Sequence, residues 1–282
     1  MVGQDTGRST TATRIAVVTG ASSGIGEATV LRLAEEGWTV VAAARRTERL
    51  AELVRRAEER GDAGTVVAAT LDVRDTASVD ALAARVRDEY GACHLLVCNA
   101  GIGGGSLSGR DDLGAALEVI DVNLAGTVRC CAAFAELLSR SAPSQVINIA
   151  SVAGKLGLGP AAYVASKFGM VGLSEALGVA WRGRGVTVTQ LNPGFVNTEG
   201  FPQSWAEGTP VARLVVGPEV VARAVSRAVR RRSEEVTTPR WYRAFVVLRH
   251  VATPIWRGVG RLAEGPRQRS EALRAQRRAQ DR

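Results

Sequence analysis

Lysine is nearly absent from this chain. Lys155 and Lys167 are the only two among 36 basic residues, the rest being arginine. Such a bias follows genome base composition, so the arginine count by itself says little about partners. Histidine is equally scarce, at two residues, and aromatics make up only 5%. The four cysteines (Cys93, Cys98, Cys130 and Cys131) show none of the paired spacings of a zinc site, and two are adjacent. That argues against a disulfide framework and for reduced, mostly buried thiols in a cytosolic protein. No histidine or cysteine grouping supports a metal site. No apolar run reaches the roughly 18 residues of a membrane-spanning helix. Residues 1–13 lack the apolar region of a signal peptide and read as a flexible leader. These absences point to a cytoplasmic protein, either soluble or lying on a membrane surface.

What is present is enough for one large core, since 46% of 282 residues are hydrophobic. The net charge of +8 belongs to the C-terminal end. Residues 240–282 hold eleven arginines against Glu264, Glu271 and Asp281, while acids and bases balance over residues 1–239.

Short apolar runs alternate with helical periodicity. Arg14 to Thr19, Thr39 to Ala44, Thr65 to Leu71, Leu95 to Cys98, Gln145 to Ile149 and Val186 to Leu191 read as buried strands. Helices are expected from Gly24, from Glu48, from Thr76, across Asp112 to Arg140, and from Ala161 to Trp181. Six strands alternating with helices specify a doubly wound α/β fold, a parallel sheet with helices on both faces. One domain over residues 14–239 and a basic amphipathic extension over 240–282 follow.

The first strand runs into Gly20-Ala21-Ser22-Ser23-Gly24-Ile25-Gly26. Glycines at a strand-to-helix turn let backbone approach a pyrophosphate at the positive end of the next helix. Gly26 would let that helix pack closely on the sheet. The second strand ends in Arg45-Arg46, where an NAD site would place an acid for the ribose 2′-hydroxyl. Arginine there suits a 2′-phosphate, favouring NADP(H) over NAD(H). The competing reading is a helix-start charge without a ligand. Asp72-Val73, after the third strand, would cover an adenine, or Asp72 would cap a helix.

Tyr163 and Lys167 are four apart at a helix start, hence on one face. An ammonium there lowers the phenol pKa and makes Tyr163 a usable acid or base near neutrality. Ser151 follows a parallel strand, where side chains point into the ligand crevice. It either bonds a substrate oxygen or caps a turn. Asn123, polar within an apolar helix, is either a kink or buried hydrogen bond, or a relay holding water beside Lys167.

Together with Asn99-Ala100-Gly101 and Pro193-Gly194-x-x-x-Thr198, these motifs resemble the classical short-chain dehydrogenase/reductase family from about Arg14 to Pro239. The resemblance implies a Rossmann-type fold and catalysis by Ser151, Tyr163 and Lys167, assisted by Asn123. It also implies sheet support from Asn99 to Gly101, and nicotinamide contacts from Pro193, Gly194, Val196 and Thr198. Homodimers or homotetramers through the fourth and fifth helices are implied too. Two departures stand out. Ser151 and Tyr163 are one residue closer than the family's usual spacing, a deletion assigned to Gly157-Leu158-Gly159-Pro160. A basic aromatic stretch replaces the family's glycine-rich end.

Phe201, Pro202, Trp205 and Pro210 fall in the segment that forms the substrate lid in this fold, facing the uncharged loop Ile102 to Gly109. A bulky lipophilic ketone or alcohol is the expected substrate. In the extension, Trp241, Phe245, Leu248, Ala252, Ile255, Val259 and Leu262 recur every three or four residues among arginines, broken by Pro254. Residues 240–263 would either lie on an anionic membrane or pack on the body or a neighbouring subunit. The alternatives to an NADP(H)-linked enzyme are an NAD-dependent dehydrogenase and a non-catalytic cofactor sensor. Nucleic-acid binding is not expected, because the aromatic stripe fits a membrane or protein contact better than a phosphate track.

Overall fold

A computed structural model of the protein describes residues 13–204 and 208–252. The expected leader, Trp205, and the extension beyond residue 252, with Pro254, Ile255, Val259 and Leu262, lie outside the described residues.

In chain order the elements are β1 (Ile15–Thr19), α1 (Gly24–Glu35), β2 (Thr39–Ala44), α2 (Thr47–Glu59), β3 (Thr65–Thr70), α3 (Thr76–Tyr90) and β4 (Leu95–Cys98). There follow α4 (Leu113–Ile120), α5 (Gly126–Arg140), β5 (Ser144–Ile149), α6 (Ala153–Leu156), α7 (Ala161–Trp181), β6 (Val186–Pro193), α8 (Pro218–Arg231), β7 (Glu235–Thr238) and α9 (Tyr242–Val251). The strands form one parallel sheet in the order β3-β2-β1-β4-β5-β6-β7. The chain starts in the middle, winds out to β3, returns across β1 to β4 and winds out the other way. The order reverses between β1 and β4, and ligands of such sheets bind at the carboxyl ends of the strands flanking that reversal.

The alternation of side chains along each strand divides the core into two layers. Ala16 and Val18 of β1, with Leu95 and Val97 of β4, face α1, α2 and α8 through Leu33, Leu50 and Val225. Ile15 and Val17, with Leu96 and Cys98, face α3, α5 and α7 through Leu82, Phe134 and Trp181. Both faces being buried explains why β1, β2 and β4 read as near-continuous apolar runs. All four cysteines are free and buried.

Three features depart from the sequence reading. The sheet has seven strands rather than six. β7 is a four-residue edge strand hydrogen-bonded to β6, with Leu191 opposite Val236, too short to show a period. The single helix expected from Asp112 to Arg140 is interrupted by a π-helical turn at Asp121–Ala125, which separates α4 from α5. Such bulges favour functional sites, and this one carries Asn123. Finally, α3 is capped by Asp75, whose carboxylate accepts from the Ala77 amide at 2.9 Å, not by Asp72. No helix among the described residues is long and apolar enough to cross a membrane.

Candidate active site

At the carboxyl ends of the strands lies a cavity of about 1030 Å³, at the upper end of the range for small-molecule sites. The β1–α1 turn forms one rim. Gly20 has φ +65°, and a Cβ there would stand 2.7 Å from the Ala100 backbone, so only glycine lets the two segments touch. The Thr19 hydroxyl accepts from the amides of Asn99 and Ala100, both at 3.0 Å. The Asn99 side-chain Nδ2 donates back to the carbonyls of Thr19, at 2.9 Å, and Gly20, at 3.2 Å. Asn99 to Gly101 is therefore a brace for the glycine turn. Gly26 lies beneath it, where a Cβ would reach the Gly20 carbonyl at 2.3 Å, as its expected packing role requires. Ser23 precedes α1 without a side-chain cap, leaving the first-turn amides and the positive end of the helix available to an anion.

Arg46 lies across this rim. Its guanidinium donates to the hydroxyls of Ser22 at 3.2 Å and Ser23 at 2.6 Å, and pairs with Glu199 at 2.6 Å. Arg45 is exposed at the cavity edge. Asp72 and Val73 also line the cavity. Hydrogen bonds from Arg74 hold the Asp72 carboxyl down to about 2, so Asp72 is ionised and already partnered at neutral pH. This donor set suits a dinucleotide: open helix amides, serine hydroxyls and an arginine at a phosphate-sized rim, and an acid on the adenine side.

At the cavity floor, α7 presents Tyr163 and Lys167 on one face. The Lys167 ammonium donates to the Ile149 carbonyl at 2.8 Å and lies 5.7 Å from the Tyr163 ring centre. It is 4% exposed, and burial pulls its pKa down to about 8. The second lysine, Lys155, instead pairs with Glu175 and Glu235. The Ser151 hydroxyl accepts from the Ala153 amide at 3.1 Å, and Ser151 lines the same cavity as Tyr163. Between them run α6 and a turn in which Gly157 and Gly159 have positive φ.

One expectation reverses here. Burial pushes the Tyr163 phenol above its ordinary value, with the neighbouring Ser151 hydroxyl opposing the rise. Lys167 was expected to lower this pKa, but its ammonium is directed at the Ile149 carbonyl, 5.7 Å from the Tyr163 ring centre, and burial of the phenol prevails. Asn123 is fully buried. Its side chain accepts from the Ile102 amide at 2.8 Å and donates to the Ile102 carbonyl and to Ser166, at 3.0 and 3.1 Å. Both the kink and the buried hydrogen bond of the sequence reading are present. Its side chain thus ties the Ile102 loop to α7 rather than lining the cavity.

The opposite wall comes from β6 onward. The Pro193 carbonyl accepts from Val152, and the Gly194 amide donates to Thr238, both at 2.9 Å. Val196 and Thr198 continue along the cavity, the Thr198 hydroxyl accepting from the Phe201 amide at 3.1 Å. Phe201 covers Tyr163, ring centres 5.6 Å apart. The rest of this wall is α9. Tyr242 is 3% exposed and its hydroxyl accepts from the Phe195 amide at 3.1 Å. A Cβ on Gly194 would fall 1.9 Å from the Tyr242 ring, so the absence of a side chain there is what admits the helix.

A family model of the short chain dehydrogenases matches residues 14–207. The chain belongs to that family. A 3beta-hydroxysteroid dehydrogenase of Mediterraneibacter gnavus is 39% identical over 190 residues, covering 66% of this chain and 67% of the relative. A short chain dehydrogenase/reductase of Burkholderia phymatum, solved with NAD, superposes with a TM-score of 0.74 at 30% identity, covering 86% of this chain and 95% of the other. An alcohol dehydrogenase of the archaeon Thermococcus sibiricus, solved with 5-hydroxy-NADP, gives 0.68 at 28% identity, covering 80% and 95%. The protein is thus an NAD(P)-dependent oxidoreductase acting on carbonyl or alcohol groups.

Within this short-chain dehydrogenase, the residues expected at the site line one cavity, apart from Gly26 and Asn123, which support it from behind. Sequence reasoning missed the parts that close it. Thr19 carried a signal, standing at the strand end before the first glycine. Trp241 and Phe245 were visible as an aromatic stripe, but nothing local showed that, with Tyr242, they line the cavity.

Proposed function

We propose that this dehydrogenase exchanges a hydride between NADP(H) and a bulky, lipophilic ketone or its alcohol, with Tyr163 as the proton donor or acceptor. The observation that carries this reading is that Tyr163 and Ser151 line one cavity beside buried Lys167, walled by Phe201, Trp241 and Phe245. When bound, the cofactor supplies or accepts the hydride at the substrate carbon. Ser151 orients the substrate oxygen and Tyr163 gives or takes its proton. Lys167, protonated below about pH 8, stabilises the negative charge that develops on the phenol oxygen. The first turn of α1, with Ser22, Ser23 and Arg46, holds the phosphates, and Asn123 fixes the loop that borders the reacting groups. The aromatic wall offers a substrate apolar area rather than a charged anchor.

The preference for NADP(H) rests on Arg46, set on the hydroxyls of the glycine turn with no acid at the end of β2. One observation favours NAD(H) as a second reading. Glu199 already engages one edge of that guanidinium, which reduces what a 2′-phosphate would gain. Steady-state rates of NADPH and NADH oxidation across lipophilic ketones and aldehydes test both the chemistry and the preference. Arg46→Asp should shift the ratio of kcat/KM values toward NADH by roughly tenfold or more, about the value of a charge-assisted hydrogen bond. Equal loss with both cofactors refutes the phosphate role.

A further inference from the structure

Helix α9 has an unusual outer face. Tyr242, Val246 and Arg249, at helical spacing, turn toward the body. Tyr242 bonds Phe195, Val246 packs with Tyr242 and Leu156, and Arg249 donates to the Lys155 carbonyl at 2.6 Å. The side away from the body carries Ala244, Val247, Leu248 and Val251, with Val247 59% and Val251 78% exposed. Isolated exposed apolar residues are ordinary, but a surface helix normally turns its polar side to water. Here the solvent face is apolar, and Arg243 and His250 stand on its flank. Residues 240–252 contain three arginines and no acid, and residues 240–282 hold eleven arginines against three acids.

We propose that α9 docks the protein on an anionic lipid surface. Its outer valines and leucine enter the boundary between headgroups and acyl chains, and the exposed Arg240 and Arg243 contact the headgroups. Trp241, at the head of the helix and 38% exposed, belongs to the side-chain type that settles at that boundary. A second copy of the chain is the weaker occupant. A two-fold contact through α9 would bring this acid-free, arginine-bearing segment against itself, whereas anionic lipid neutralises it. The docking helix is also a wall of the active-site cavity, since Trp241 and Phe245 line it. Docking therefore brings the cavity wall to the membrane, and a lipophilic substrate passes between bilayer and site without crossing water. That last step alone rests on the substrate class proposed above.

The test uses the full-length chain, sedimented with vesicles of phosphatidylcholine and phosphatidylglycerol and with vesicles of phosphatidylcholine alone, in low and high salt. Binding is expected to the anionic vesicles only, weakening as salt screens the arginines. Val247→Glu with Val251→Glu should lower the partition coefficient by roughly tenfold or more, through lost apolar area and added charge. Neither valine lines the cavity, so turnover of a small water-soluble ketone should persist in this variant and reports its folding. Absent binding by the natural chain, equal binding to neutral vesicles, or unchanged binding by the variant each overturn the proposal. So does a natural chain that ignores vesicles but is a dimer which the variant splits, because α9 is then a subunit contact. Vesicle binding without ketone turnover would leave docking standing and sink the reductase reading, and the converse result does the reverse.

Discussion

Lys167→Met removes the charge buried beneath Tyr163 while keeping most of the apolar stem, and its effect on stability must depend on pH. In the folded protein burial brings this lysine to about 8, against an ordinary value of 10.5. Between those values the unfolded chain binds more protons than the folded one, so stability rises with pH across the window. The cost of burying the ammonium is fully present below about pH 8 and is gone above about pH 10.5. The gap corresponds to about 3 kcal/mol at 1.36 kcal/mol per pKa unit. Urea unfolding of the natural chain and the variant, at about pH 7 and about pH 10, isolates this lysine, since the other titrations cancel in the difference. The natural chain should gain about 2–3 kcal/mol on the variant between the two pH values. Parallel stabilities would refute the reasoning, and a relative loss at high pH would mean the ammonium is stabilised by a partner rather than strained by burial. The same titration should set a limb near pH 8 in the kcat/KM profile, which reports groups of the free enzyme.

Three further outcomes are expected. Tyr163→Phe should lower turnover by roughly a hundredfold or more while NADPH affinity, read by fluorescence titration, stays within about twofold; retained turnover excludes the phenol as the proton carrier. Gly194→Ala sets a methyl 1.9 Å from the Tyr242 ring. It should cost about 1–3 kcal/mol in thermal unfolding and raise KM for bulky ketones as α9 is displaced; neutrality on both counts would show that α9 is not seated there. Asn123→Ala strips the Ile102 amide and carbonyl and Ser166 of their partner. A loss of about 2–4 kcal/mol is expected in chemical denaturation, and a loss under about 0.5 kcal/mol would show that water replaces the asparagine.

Much of this short-chain dehydrogenase is local information, and local information is legible. Strands buried on both faces are near-continuous apolar runs, so β1, β2 and β4 declare themselves. Four residues of separation on a helix put Tyr163 and Lys167 on one face whatever surrounds them. The glycine turn after β1 and the arginine pair after β2 identify a phosphate-binding end by chemistry that a few adjacent residues carry. Other features depended on atoms far apart in the chain. β7 is fixed by the hydrogen-bonding edge that β6 offers, because Glu235-Val-Thr-Thr, though β-branched, is too short to show a period. The π-helical turn at Asn123 is held by Ile102 and Ser166, which arrive from 21 residues before and 43 after. The aromatic stripe of the extension was plain in the sequence, yet its two faces were assigned only by folding: Tyr242 buried against Gly194, Val247 and Val251 left outward. The direction of the Tyr163 pKa is the clearest case. Pair spacing announced a cation beside a phenol and so a lowered value, but desolvation is a sum over every neighbour that excludes water. Only the packed structure assembles those neighbours around the ring.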